Sequence, residues 1–309
     1  MALFRQTVLT GLSKTYSLLD RRKRLNIVTL HRIDPSNSAA GVAKVESEIE
    51  YLSRRHRFIL PSDLEHIDSG TQDLAMITID DGHASLYTHL YPLFKALNVP
   101  FTPCLPTDFT LRGTWLWFDK LEYILKTTSD LSDADNKAGL NNLLIDLKAM
   151  GKSDREEALD AIAHDRACNV PPTPTAEYAP LSAEQIFEML DSGLMEITGH
   201  GVSHTIMTKL NDEDLIDELS ASKQELETTF GRPITCFCYP NGLEGDFDDR
   251  TEQAIRNSGY LSTLTSVEGS NIVNGLNLYD IKRIHTGLDR HSFIKEASGL
   301  GDIQKSLPL

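Results

Sequence analysis

No stretch of the chain reaches the roughly 18 consecutive apolar residues needed to span a bilayer, and its opening lacks a compact apolar segment followed by a small-residue cleavage site. Cysteine is scarce. The four residues Cys104, Cys168, Cys236 and Cys238 show neither paired zinc-ribbon spacing nor a dense disulfide framework, so reduced structural thiols are expected. Basic side chains are outnumbered, 30 against 45 acidic ones, and the formal charge of −15 opposes phosphate backbones and anionic lipid surfaces. No nucleic-acid partner and no transmembrane segment are therefore expected, and these absences together point to a cytoplasmic protein. The one basic run, Arg21-Arg22-Lys23-Arg24, follows an amphipathic opening over 4–19 and reads as the solvated end of an N-terminal helical segment, 1–24. No internal repeat is found.

What is present is an ordinary globular composition, with 40% hydrophobic and 24% charged residues, which excludes disorder and fibrous repeats. A length of 309 residues allows one barrel-sized domain or two smaller ones. Short apolar runs at 25–30, 76–79, 101–105, 195–197, 234–239 and 261–264 read as buried strands, and helical patterns at 84–97, 182–192, 212–230 and 248–258 lie between them. Ser182 with Gln185 forms a capping-box signature. Gly193, Gly231 and Gly259 stand just past helices, where a left-handed residue is wanted. Strand-then-helix repetition implies an α/β fold, a closed or nearly closed barrel of parallel strands with outer helices. The polar segment 126–180, ending in Pro171-Pro172-Thr173-Pro174, reads as a helical insertion within a barrel domain over 25–300. A late strand near 281–285, a helix from Ser292 and a tail over 301–309 complete the chain.

Two constellations carry chemistry. Met76-Ile77-Thr78-Ile79-Asp80-Asp81-Gly82 is an apolar strand that ends in two carboxylates and a glycine. In parallel barrels such strand ends line the active site, and two adjacent acids are not buried together without a cation or a shared proton. The same acids could instead cap the helix beginning near Ala84. Ile197-Thr198-Gly199-His200-Gly201-Val202-Ser203-His204 again follows a strand, and its two imidazoles can converge on one ion if the intervening segment turns helically. A lone histidine there would be a hydrogen-bonded core group; the pair favours ligands. The chain lacks a His-Glu-x-x-His arrangement, so a metalloprotease reading has no base.

In order, context and separation, Asp80-Asp81-Gly82 and His200-x-x-x-His204 resemble the first two motifs of the polysaccharide deacetylase family. Leu30-His31-Arg32-Ile33, Trp115-Leu116-Trp117-Phe118-Asp119 and Phe237-Cys238-Tyr239-Pro240-Asn241-Gly242 extend the resemblance, which covers roughly 25–299. It implies a partly irregular (β/α) barrel and a divalent metal, most often Zn²⁺, held by Asp81, His200 and His204, with Asp80 as general base. It also implies an oxyanion-stabilising backbone N–H at Asn241 and a late histidine, His285, as proton donor to the leaving amine. The substrate implied is an N-acylated sugar or polysaccharide precursor. An amide carbonyl is a poor electrophile that needs both polarisation and an activated water, and a metal supplies both.

The chain departs from the family where Cys238 stands in place of an arginine that would orient the base; Arg283 is the candidate to replace it. His83 and His31 are candidates to line the pocket, with Trp115, Trp117 and Tyr239 to stack on a ring. The alternatives are a deformylase or other amidase on the same scaffold, a catalytically silent glycan-binding module, and an iron oxygenase, whose acid would fall two residues after the first histidine.

Overall fold

Seven parallel strands close on themselves. They are β1 (Arg24–Leu30), β3 (Asp73–Ile79), β4 (Thr102–Leu105), β5 (Thr198–Gly199), β6 (Cys236–Cys238), β7 (Ser262–Glu268) and β9 (Ile281–His285). β1 is hydrogen-bonded to β3 on one side and β9 on the other, which completes the ring. Two short strands thicken its lower rim: β2 (His56–Phe58) lies parallel to the start of β3, and β8 (Asn271–Ile272) lies antiparallel to the start of β1. The computed structural model describes residues 11, 13, 20, 22–67, 72–129, 134–286 and 289–302. Most of the opening over 4–19 and most of the tail over 301–309 lie outside these.

Strand alternation sorts the core into an inside and an outside. Leu25, Ile27, Leu74, Met76, Cys104, Cys236, Cys238, Leu264 and Ile281 meet within the ring. Val28, Leu30, Ala75, Ile77, Ile79 and Phe237 face outward against helices. All four cysteines are free, three of them buried. The helices are α1 (Ser38–Ser53), α2 (Tyr91–Leu97), α3 (Thr107–Arg112), α4 (Trp117–Thr128), α5 (Ala134–Ala149), α6 (Lys152–Asp165), α7 (Ala183–Asp191), α8 (Asp212–Phe230), α9 (Asp249–Asn257) and α10 (Arg290–Ala297). Their ends follow the caps written in the sequence. Ser182 and Gln185 exchange the capping-box bonds of α7, Asp248 caps α9, and Gly193, Gly231 and Gly259 all have positive φ. None of the helices among the described residues is long and apolar enough to cross a membrane.

Two expectations shift. The strand read at 195–197 is instead the two-residue β5, because only Met195 bridges Phe101 before the chain aligns with Cys104 and Leu105 at Thr198. The helix read at 84–97 is divided: Leu86–Leu90 forms a wide turn, and α2 starts beside Pro92, which has no N–H to continue the preceding ladder. The polar segment does form helices, α5 and α6, and these share with α4 a satellite core of Trp117, Leu121, Leu125, Leu147 and Leu159.

Candidate active site

Asp80 keeps the inward parity of Met76 and Thr78, so its carboxylate enters the ring at the end of β3. The chain then reverses. Asp81 takes a left-handed backbone, φ 73°, and Gly82 follows at φ 78°. A Cβ on Gly82 would sit 2.6 Å from Leu105 Cδ2, so only glycine permits the turn that sends the second carboxylate in a different direction.

The two histidines converge without a helical turn between them. Gly201 (φ 76°) and His204 (φ 55°) fold the segment into an irregular loop instead. Glu218 on α8 holds that loop, accepting from Val202 N at 2.7 Å and Ser203 N at 3.0 Å, and also from the Ser203 hydroxyl. The expected helical spacing is thus replaced by a clamp from a neighbouring element. Glu218 was not singled out from the sequence, although an acid on the apolar stripe of α8, beside Leu215, Leu219 and Ser222, was its signal.

His204 Nε2 lies 3.2 Å and His200 Nε2 3.8 Å from Asp81 Oδ1. One ligand atom from each of the three residues falls within 4.8 Å of the others, and all three residues are buried. His200 Nδ1 bonds the Cys238 carbonyl at 2.7 Å, which turns Nε2 toward the centre. His204 Nδ1 is buried without a hydrogen-bond partner. One carboxylate and two imidazoles fit a divalent ion such as zinc and leave coordination positions open.

Beside this trio lies Arg283, the candidate expected to stand in for the arginine missing at Cys238. It is wholly buried within the ring and donates from Nη1 to Asp80 Oδ1 at 2.7 Å, from Nε to Thr265 O at 2.6 Å and from Nη2 to Ser266 Oγ at 2.9 Å. Burial alone would raise the Asp80 pKa; Arg283, then His31 and His200, outweigh it and hold the carboxyl well below the usual range. Asp81 is likewise held low against its burial, chiefly by the hydrogen bond and charge of His204. Cys104 and Cys238 also crowd Asp80, with Cys238 Sγ 3.8 Å from Oδ1. Against the effect of burial, a hydrogen bond with Cys104 and the Arg283 charge hold the Cys238 thiol below its ordinary range, while burial pushes Cys104 up.

A cavity of about 370 Å³ opens over Asp80, Asp81, His200 and His204. His31 and His285 reach it from the C-terminal ends of the adjacent strands β1 and β9: His31 Nε2 is 3.8 Å from Asp80 Oδ2, and His285 Nε2 hydrogen-bonds Ser266 O at 3.0 Å. Asn241 borders it with φ 63°; its side chain donates to Asp246 and accepts from Lys148 Nζ at 2.7 Å. Trp117 and Phe118 form an apolar wall, with the Phe118 ring edge-on to His204 at 5.2 Å. Three other expected lining residues are elsewhere. His83 is buried and paired with Asp119 at 2.7 Å, Tyr239 stacks on Phe247, and Trp115 packs on Tyr123 and Tyr178 with its Nε1 bonded to Pro171 O. Each is held by a partner from another part of the chain, a placement that spacing along the chain does not encode.

The model of a family described as polysaccharide deacetylase matches residues 151–262. Solved structures share the fold at low identity. The deacetylase PplD of Streptococcus pyogenes, in complex with acetate, is 16% identical with a TM-score of 0.57 over 85% of this chain and 92% of its own. IcaB from Ammonifex degensii is 18% identical with a TM-score of 0.59, over 89% and 96%. A de-N-acetylase from Aggregatibacter actinomycetemcomitans is 14% identical with a TM-score of 0.57, over 88% and 99%. No curated protein matches significantly. The resemblance to polysaccharide deacetylases read from the motifs thus holds for the family model and for the (β/α)₇ barrel.

Proposed function

We propose that this chain, a deacetylase-type barrel with the family's motifs in place, is a metal-dependent hydrolase that removes an N-acetyl group from a sugar or a surface-polysaccharide precursor. The observation that carries the reading is the pairing, at one strand end, of an Arg283-held Asp80 with the convergent trio Asp81, His200 and His204. A zinc ion on that trio would supply polarisation of the amide carbonyl and a more acidic water.

The chain's own groups do the rest. Arg283 occupies Asp80 Oδ1, which leaves Oδ2 facing the cavity as the proton acceptor for the attacking water. The backbone N–H of Asn241 stabilises the oxyanion, and the bonds from the Asn241 side chain to Asp246 and Lys148 hold that turn in its left-handed conformation. His285 returns a proton to the departing amine. His31 is a second reading for that step, favoured by its 3.8 Å approach to Asp80. The silent-module alternative rested on the missing arginine, and Arg283 removes that reason.

The test is acetate release from N-acetylated sugars, nucleotide sugars and short oligosaccharides. Asp80→Asn should lose on the order of a thousandfold in rate while retaining one equivalent of metal. Full activity in the variant would refute the base assignment. His285→Gln should lose about a hundredfold and His31→Gln much less; the reverse order would transfer the acid role to His31.

A further inference from the structure

We infer that Lys148, carried into the cavity by the insertion helix α5, selects a substrate with an anionic substituent, a phosphate ester or a carboxylate, beside the acylated amino group. The inference rests on the deacetylase reading and adds the substrate's charge to it.

Lys148 and Leu144 lie one helical turn apart on α5 and both line the cavity, while Leu147 between them is buried in the insertion's own core. The ammonium is therefore set in place by packing. Among the described residues lining the cavity it is the one permanent cation, since Arg283 lies beneath the floor and the other basic groups are imidazoles. Its bond is to a neutral acceptor, Asn241 Oδ1 at 2.7 Å, and it takes part in none of the ion pairs among the described residues.

Other lysines of the insertion have acidic partners: Lys126 pairs with Glu122 and Glu177, and Lys152 with Asp108. In a chain of net charge −15, acidic partners are plentiful. A half-buried ammonium without one, placed beside the apolar part of the cavity lining (Trp117, Phe118, Leu144, Ile206 and Leu243) and apart from any ion pair with Asp80 or Asp81, has the chemistry of an anion anchor. The negative field of the whole molecule would otherwise repel such a substrate.

The experiment titrates N-acetylglucosamine, N-acetylglucosamine 1-phosphate and N-acetylmuramic acid into zinc-loaded Asp80→Asn protein, alone and combined with Lys148→Met or Lys148→Arg. The expected result is binding of at least one charged sugar about tenfold tighter than the neutral one, an advantage that vanishes in Lys148→Met, survives in Lys148→Arg and shrinks with added salt. The phosphate and carboxylate arms identify which anion is taken. Equal affinities for all three sugars, absence of binding by all three, or an equal loss for all three in Lys148→Met would overturn the inference; the last would mean that Lys148 only positions Asn241. A persistent charged-sugar preference, together with wild-type protein that releases no acetate from any sugar, would instead sink the deacetylase reading and leave the anion anchor standing.

Discussion

Successive carboxylates at a buried strand end are tolerable only if each has its own compensating charge, and here each does. Asp80 has the Arg283 guanidinium, and Asp81 has the imidazole pair. Arg283→Met should therefore cost about 3–5 kcal/mol of stability, the range for breaking a buried pair. It should also raise the Asp80 pKa, moving the acid limb of the activity profile to higher pH. An unmoved limb in a folded variant would show that the guanidinium does not tune the base. His200 offers a second test. Burial opposes its charged form, but Cys238, Asp80 and Asp81 outweigh burial and push it up to about 9. At pH 7.5 the ion-free protein then carries a proton on His200 that a metal must displace, so zinc loading should release about one proton. Calorimetry in buffers of different ionisation enthalpy reads that number, and zero release would contradict the assignment. The acid pair and the histidine pair were legible in the sequence because each follows an apolar run directly. Glu218 and the His83–Asp119 pair were not, since their roles depend on partners brought from other elements.

At the scale of elements, helices were read better than strands. The helix expected at 212–230 is α8 to the residue, because Asn211 and Gly231 supply local stop signals at both ends. β5 has only two residues, and its position is fixed by alignment with β4 and β6, which no local pattern records. One helix carries an unresolved conflict of its own. Glu48 lies on the buried face of α1 between Val45 and Ile49, near α10, and neither of its carboxylate oxygens has a hydrogen-bond partner. Burial pushes its pKa up to about 7, with Lys44 and Arg290 pulling the other way. Between the ordinary carboxylate range and pH 7 the folded protein keeps a proton that the unfolded chain has released, so stability falls as pH rises through that window. Glu48→Gln should accordingly raise the urea midpoint at pH 8 and change it little at pH 5. An equal change at both pH values would locate the effect in packing instead.

For the whole molecule, a closed or nearly closed parallel barrel followed from the alternation of strands and helices over this length, and β1 completes the closure by pairing on both edges at once. The proposed ion would tie together loops after β3 and β5 and should stabilise the folded state by mass action, about 2.7 kcal/mol at a hundred times its Kd. Chelation should then lower the melting temperature by roughly 5 °C or more, and an unchanged melting point on complete metal removal would separate the ion from folding stability. Ring closure has one further consequence. Asp80 and its guanidinium partner are 203 residues apart along the chain and meet only when β9 seats against β1. A nascent chain on the ribosome displays the first carboxylate long before the arginine has been synthesised, and a fragment cut short of Arg283 never acquires it. Loss of β9 to proteolysis or premature termination would therefore leave Asp80 without its guanidinium, so under the proposed mechanism hydrolysis waits on synthesis of the chain through Arg283.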